Sequence, residues 1–414
     1  MLPTETDVLI VGAGPTGLSL AITLQQAGVR HLLIDKLAEG HNTSRAAVIH
    51  AHTLEVLESI GVADQLTAHG LKLSSFRIRD RDRALLSLPF DTLASKHAYL
   101  LMLPQDVTER VLADRLAALG GVIHRGVAAT EVSQSEAGAE VRVMSHAGEH
   151  TIRARHVVGA DGMHSSVRAA AGIAYEGAPY EESFVLADIH MDWPLRDPEV
   201  SLFFSAAGLV VVAPLPGGAY RVVATLENAP ERPGLADIQA LIDARGPAAQ
   251  RGRVRQVIWS SRFRVHHRLA SSYRNNRLFL IGDAAHVHSP AGGQGMNCGL
   301  VDACVLGQLL ADVIRGKRPE SELDRYEQLR RPAAAEVLAL AGRLTALATL
   351  RGGFRRTMRN AVFSMLDRIG PVKHRLLLNL SGLGRRHLSR LPQRPDTAAA
   401  LSQAAPLAAA AGRR

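Results

Sequence analysis

Two cysteines, Cys298 and Cys304, are all that the 414 residues contain, which excludes a disulfide framework and fits a reducing cytoplasm. Both fall within one predicted helix, where a thiol reads as a small buried apolar group. A membrane-spanning run is missing as well: the most apolar late stretch, residues 337–350, is too short and is broken by Arg343. No basic segment opens the chain, since Glu5 and Asp7 lead into its first strand, so no signal peptide is expected. Acids run out towards the end. Between Arg351 and Arg390 Asp367 is the only one, and much of the formal net charge of +9 gathers there. A basic segment of this kind suits an anionic surface. The single Arg-Gly-Gly at 351–353 is no repeat and no RNA-binding module is recognisable, so nucleic acid is not an expected partner. What is left is a solvated basic helical face with, at most, weak contact to a membrane surface. At 47% hydrophobic and 21% charged, the chain is ordinary for a soluble globular enzyme of two or three domains.

The chain is organised around its opening. An apolar, β-branched run at residues 7–11 leads straight into Gly12-Ala13-Gly14-Pro15-Thr16-Gly17. A helical pattern follows (Leu18, Ala21, Ile22, Leu24) and closes at Gly28. A second strand from His31 then ends at Asp35-Lys36. This is a complete βαβ dinucleotide unit. Its three glycines serve the tight turn, the approach of backbone to a pyrophosphate, and close packing of helix on strand. The helix start offers unpaired N–H groups to phosphate. Asp35, about 20 residues on, stands where a carboxylate meets an adenosine ribose. By itself the motif leaves NAD and FAD both open.

Next comes a polar loop, residues 41–47, in which Arg45 is the only fixed cation. Beside a bound dinucleotide it would pair with pyrophosphate or line the path of a mobile ring. A helix is expected over residues 53–60, and another after Pro104, with Asp106 as N-cap, Glu109 in the capping-box position and Gln105 just outside as a candidate ligand contact. A strand at 122–124 and an antiparallel pair around 140–152 lead to a buried strand and a second strand–turn–helix, Asp161-Gly162 with Ser165 and Arg168. Strands at 184–191, 200–204, 209–214, 220–226 and 254–259, with one short helix at 235–244, predict an inserted antiparallel sheet that covers a substrate. A third anchor then runs from Gly282-Asp283 through Pro290, Gly293, Gly295 and Met296 to Asn297, opening a long helix over 296–314. Asp283 is placed to hold a polyol hydroxyl, and the glycines let backbone N–H groups approach a planar ring. His286 and His288, two apart with no ligand set of suitable spacing nearby, predict no metal site.

Together these three anchors resemble the FAD-dependent aromatic hydroxylases, the class A flavoprotein monooxygenases typified by p-hydroxybenzoate hydroxylase, over residues 5–345. The wording from Gly282 to Asn297 is most similar to the phenol and aromatic-polyketide branch, with Ser289 where that branch has proline and Cys298 where it has threonine. Many members also carry a C-terminal thioredoxin-like domain, for which 414 residues leave no room.

The resemblance implies an α/β fold. Its Rossmann-like FAD-binding domain would be discontinuous (1–70, 100–180, 270–320), with an inserted antiparallel-sheet substrate domain (71–99, 181–269), C-terminal helices (321–396) and a disordered tail (397–414). Gly12, Gly14, Pro15, Thr16, Gly17, Asp35 and Lys36 would bind the ADP half of FAD, with Arg45 on the pyrophosphate or near the flavin's exit path. Gln105 would contact the flavin side, Asp161 and Gly162 would serve both the pyrophosphate and NAD(P)H, and Gly282-Asp283 would hold the ribityl chain. Pro290, Gly293, Gly295, Met296 and Asn297 would face the isoalloxazine. The implied reaction uses NADPH or NADH as a transient co-substrate and O2, through a flavin C4a-hydroperoxide, to hydroxylate a phenolic or polycyclic aromatic substrate. No second glycine fingerprint for the nicotinamide is needed, and Arg45, Pro290, Gly295, Met296 and Asn297 are the expected catalytic set. His190, Trp193, Phe203 and Tyr220 either line the pocket or pack in the sheet core. Epoxidation, Baeyer–Villiger oxidation or drug inactivation on the same scaffold, an NAD-dependent dehydrogenase, and a non-catalytic flavin-bound protein are the alternatives. A cytoplasmic monomer or homodimer is expected.

Overall fold

In the computed structural model, residues 2–40, 46–195, 198–226, 228–290, 292–348, 350 and 352–391 are described, with backbone alone at 179–182 and 264–265. The first strand, β1 (Glu5–Val11), carries Val8, Leu9 and Ile10, all at 0% exposure. An uninterrupted apolar strand is what a position covered on both faces of a parallel sheet demands. β1 lies between two parallel neighbours, β2 (His31–Asp35) and the strand Gly148–Gly159, with Ile123–Arg125 beyond the first and Leu278–Leu280 beyond the second. The helix α1 (Pro15–Gln26) packs on this sheet and against the long helix Gly295–Ile314. The two helices approach so closely that a Cβ at Gly307 would come within 2.7 Å of Thr23 Cγ2. The long helix has the length and hydropathy of a membrane span, but 83% of its most apolar window is buried, which makes it a core helix.

A second, eight-stranded sheet draws on residues 75–89, 175–270 and 286–287 and is antiparallel apart from the pairing of Val200–Ser205 with Ser75–Asp80. Its two longest strands, Tyr175–Asp192 and Arg253–Ala270, outrun the shorter strands expected from sequence. They continue because their far ends join the other half of the molecule: Leu269 pairs with His286, just beyond Gly282-Asp283. Alternation sorts the two faces. Val185, Ala187, Ile189, Phe203, Val210 and Val222 pack outward against the helix Leu235–Arg245. Trp193 joins that outer cluster, edge-on to Phe203 at 6.0 Å and tilted to Tyr220 at 6.4 Å. Phe203 and Tyr220 are therefore outer-core packing, because their strands turn that face towards the helix Leu235–Arg245, and Trp193, one residue past the end of its strand, packs with them.

Leu71–Leu73 belongs to neither sheet but pairs with Leu100–Met102, which also pairs with Val48–Ile49. The following helix starts earlier than its sequence suggests, at Gln105, with Pro104 as N-cap and Asp106 inside the first turn. The Pro104 carbonyl accepts from the N–H groups of Val107 and Thr108, so the helix is under way before an aspartate cap could act. The C-terminal region forms the helices Asp324–Ala348, Gly353–Leu366 and Gly370–Leu380, the first of them running through Pro332. Arg45 and residues 392–414 lie outside the described residues.

Candidate functional site

The three anchors leave the parallel sheet at the same edge. Gly12 N–H donates to the Ile34 carbonyl, Ala160 N–H to Val11 and Ile281 N–H to Gly159, at 2.8, 2.8 and 3.0 Å. These bonds stitch together the carboxyl ends of four neighbouring strands, the place where an open α/β sheet binds its ligand. Each glycine of the first turn has a different reason to be glycine. Gly12 has φ +107°, and a Cβ there would lie 2.4 Å from the Ala160 carbonyl. At Gly17 a Cβ would lie 1.9 Å from the Gly12 carbonyl, so the helix could not sit on the turn. Gly14 is different: it has an ordinary extended backbone, φ −72° and ψ −177°, and no atom within 4 Å of a Cβ. A side chain at Gly14 would stand in open space. Gly14 is also the N-cap of α1, with no side-chain cap and no acid in the first turn, so the positive end of the helix faces that space.

Asp35 shapes this turn directly. Its Oδ2 accepts from Ala13 N–H at 2.7 Å and its Oδ1 from Leu37 N–H at 2.8 Å. Lys36 beside it is exposed, and Pro15 and Thr16 are half-buried at the helix start. Thr16 also faces the third anchor, with Oγ1 2.8 Å from a Cβ at Gly282 and 2.6 Å from one at Gly299.

The second and third anchors are tied to each other. Asp161 Oδ2 accepts from Ser166 N–H at 2.7 Å and Ser166 Oγ at 3.0 Å, capping a short helix, while Gly162 takes φ +79° in the turn. Arg168, held at the start of that helix by Ser165, donates to the carbonyls of Met163 (2.8 Å) and Ala284 (2.9 Å). Its guanidinium lies 3.9 Å above the Tyr175 ring, and Tyr175 in turn donates to the Asp283 carbonyl at 2.9 Å. The Asp283 side chain, which is exposed, is thereby placed at the mouth of the sheet edge.

The glycine-rich stretch after Pro290 is pinned from behind by residues that the sequence reading passed over. Gly293 has φ +62° and presses on the strand Val48–Ile49, leaving 2.1 Å between a Cβ there and Val48 Cγ1. Asn297 is 4% exposed: its amide donates to the Val48 and Gly293 carbonyls at 2.9 and 2.8 Å and accepts from His50 N–H at 2.8 Å. Its side chain is a brace, and Gly295 and Met296 are the half-buried residues that begin the long helix in front of it. His50 Nε2 bonds the Gly292 carbonyl at 2.9 Å. Gln294 bonds the Leu380 carbonyl at 2.8 Å, its amide oriented by Arg385, which can only donate and reaches Oε1 at 3.0 Å.

Facing this edge is the inner side of the large sheet. Phe184, Leu186 and Ala213 are buried there, and Val211, Val223 and Phe263 are half-buried. Register puts Trp259 and Arg221 directly opposite Asp188 on the two neighbouring strands, hence on the same face. Arg221 holds Asp188 through both guanidinium arms at 2.8 and 2.7 Å and donates to the Ala46 carbonyl at 2.8 Å. The other side of Ala46 is fixed by Gln105, whose Oε1 accepts its N–H at 3.2 Å. Gln105 is thus spent on positioning this loop, with Nε2 donating to Glu109 at 2.8 Å.

A family model described as an FAD binding domain matches residues 5–341. The 6-methylpretetramide 4-monooxygenase of Streptomyces rimosus is 36% identical over 401 residues, 92% of this chain and 70% of that one. The pentachlorophenol 4-monooxygenase of Sphingobium chlorophenolicum is 35% identical over 81% of this chain and 63% of its own length. The solved anhydrotetracycline hydroxylase of Streptomyces rimosus superposes with a TM-score of 0.79 at 32% identity, covering 95% of this chain and 78% of that one. The chain belongs to the FAD-dependent aromatic monooxygenases. The open space at Gly14 and the uncapped start of α1 fit the pyrophosphate of the family's cofactor, FAD.

Behind the flavoenzyme's third anchor lies a cluster that sequence spacing concealed. His286 Nε2 donates to Asp302 Oδ2 at 2.7 Å, and Arg330 Nε donates to Asp302 Oδ1 at 2.8 Å. Cys298 completes a group whose His, Cys and Asp ligand atoms lie within 4.8 Å of one another, a metal-like spacing that the long helix and the sheet create together. Both carboxylate oxygens are committed, however, and Arg330 Nη2 lies 3.7 Å from Cys298 Sγ, so a guanidinium supplies the positive charge.

Buried histidines make acid the weak side of the fold, His50 and His156 among them. Burial lowers His50 and His156 from 6.5 to about 4, in His156 against the pull of Glu320. Both are neutral when folded but take a proton near pH 6.5 when unfolded. Their contribution is therefore complete above 6.5 and is lost as pH falls towards 4, at most about 3 kcal/mol each. Thermal melts should show a steep loss of stability over that window, less steep in His50→Gln; equal slopes in the two proteins would remove His50 from the account.

Proposed function

We propose that this chain uses FAD and NADPH or NADH to place one atom of O2 on a phenolic or polycyclic aromatic substrate held against the inner face of the large sheet. The observation that carries the proposal is the pairing of an apolar sheet face with the edge at which all three cofactor anchors converge. Its relatives act, by name, on 6-methylpretetramide, on pentachlorophenol and on anhydrotetracycline.

In this reading Gly12, Gly14, Pro15, Thr16 and Gly17 receive the ADP half, with the start of α1 at the pyrophosphate. Asp35 orders the turn as well as meeting the ribose, with Lys36 at its rim. Asp161 and Gly162 set the turn beside the pyrophosphate, where NAD(P)H also docks, and Asp283 takes the ribityl hydroxyls. Pro290, Gly293, Gly295, Met296 and Asn297 present backbone to the flavin ring, with N–H groups placed to stabilise negative charge on it. Arg45 pairs with the pyrophosphate or lines the ring's path, and Gln105 acts on the flavin side through Ala46. Val211, Val223 and Phe263 exclude water and hold the substrate ring flat. Bound FAD, reduced by NAD(P)H, supplies the electrons that activate O2, one oxygen atom going to the substrate and the other to water. In the same reading the enzyme is cytoplasmic, monomeric or homodimeric; the nicotinamide co-substrate and the two buried free thiols support the compartment.

The purified protein should be yellow, absorbing at about 450 nm, and its NAD(P)H oxidation should accelerate about tenfold or more with a productive aromatic ligand, whose product gains one oxygen atom. A broad panel of phenols and polycyclic aromatics that produces no acceleration would refute the hydroxylase reading.

A further inference from the structure

The helix Gly353–Leu366 is apolar on two opposite faces, and among the described residues only one of them is packed. Inward, Phe363 packs against Phe204 with ring centres 5.7 Å apart, and Arg359 lies 4.7 Å over the same Phe204 ring. Outward, Phe354, Met358, Val362 and Met365 are 79%, 54%, 45% and 56% exposed. At about 100° per residue these four side chains fall in a single stripe about 80° wide. They form a continuous ridge, bracketed by exposed Leu347 and Ile369, and water is a poor solvent for it.

The charges around the ridge decide what covers it. Arg355, Arg368, His374 and Arg375 are exposed on this helix, the turn after it and the helix Gly370–Leu380. The acids nearby are already spent. Asp367 accepts from Ser87 N–H at 2.9 Å and pairs with Lys373 at 3.0 Å, and Asp80, on the sheet beneath, accepts from Asn360 at 2.6 Å. A second copy of the chain would bring the same cations face to face. An apolar layer coated with negative charge satisfies both the ridge and its rim, and the arginine stems can reach outward to headgroups. From Phe354 to Met365 the ridge is only about 17 Å long, enough to lie in an interface and too short to cross it.

We propose that this helix is an interfacial foot that seats the protein on an anionic bilayer surface, with the four side chains in the acyl boundary and the arginines at the phosphates. The proposal is independent of the substrate. It is tested by sedimenting the full chain with vesicles of phosphatidylcholine and phosphatidylglycerol in equal parts, and with phosphatidylcholine alone. Binding is expected to the mixed vesicles at low salt, weaker by about tenfold or more on neutral vesicles and at high salt. The double variant Met358→Ser/Met365→Ser should keep the wild-type melting temperature and FAD binding while losing about tenfold or more in vesicle affinity. Failure to bind mixed vesicles overturns the proposal, and so does equal binding by the double variant. A concentration-dependent dimer that the same variant dissolves would assign the ridge to a second copy instead, and also overturns it.

Discussion

Gly14→Ala is expected to leave the apoprotein's melting behaviour within about 1 kcal/mol of wild type and to weaken FAD binding by roughly 5- to 150-fold. The stability half follows from geometry: the position has an extended backbone open to any residue, and an added Cβ meets no protein atom within 4 Å. The binding half follows because a methyl group would occupy the space that the uncapped start of α1 faces. Gly17→Ala is the control with the opposite outcome. Its methyl would be driven to 1.9 Å from the Gly12 carbonyl, so the helix must lift from the turn at a cost of about 3 kcal/mol, and the apoprotein itself should melt early. Thermal melts of the apoproteins and flavin-fluorescence titrations separate the two effects. Unchanged flavin affinity in Gly14→Ala would mean that the pyrophosphate lies elsewhere.

Asp302→Asn is expected to cost about 3–5 kcal/mol, because it leaves the Arg330 guanidinium buried without its counter-charge. Burial raises the carboxyl's pKa, but Arg330 and His286 outweigh it and hold the acid ionised, below 3.8. Burial likewise opposes the His286 imidazolium, yet Cys298 and Asp302 hold its pKa well above 6.5. The carboxylate's contribution is present above 3.8 and lost as pH falls through its depressed pKa. That of the imidazolium is present below 6.5 and lost as pH rises through its raised one. Across neutral pH the triad is intact. Asp302 also faces Gly282 N–H at 3.4 Å, so the same variant should weaken FAD binding. The double variant Asp302→Leu/Arg330→Met, which removes both charges, should recover a large part of the lost stability in urea denaturation. A single variant that unfolds like wild type would show that the cluster carries no coupled charge.

Much of this architecture was legible because it rests on local pattern. The continuous apolar run of β1, the glycine turn and the second strand could hardly form anything but a βαβ unit. The resemblance of three ordered anchors named the cofactor, and the family match over residues 5–341 agrees with it. Elements were misjudged where a tertiary partner overrode the local signal. The strand Gly148–Gly159 forms a hairpin with Ala139–Ser145 at its start and a parallel pair with β1 at its end, which no local periodicity encodes. The helix at Gln105 starts early because Gln105 and Ala46 lock together. For Phe203 and Tyr220, left open by sequence between pocket and sheet core, strand parity set by long-range register chooses the outer face, and Trp193 packs beside them.

The sequence by itself determined the βαβ unit with its glycine turn, which strands are buried on both faces, and that a dinucleotide is bound, since periodicity and turn chemistry act within a few residues. Only the tertiary structure decided which glycine stays open to a ligand, and that Arg168 and Tyr175 join the second anchor to the third. It alone brought His286, Cys298, Asp302 and Arg330 into one buried cluster, and left the outer ridge of the helix Gly353–Leu366 uncovered by any described residue. Those features depend on distances between residues far apart in the chain, and such distances are fixed only when the two sheets and the long helix pack together.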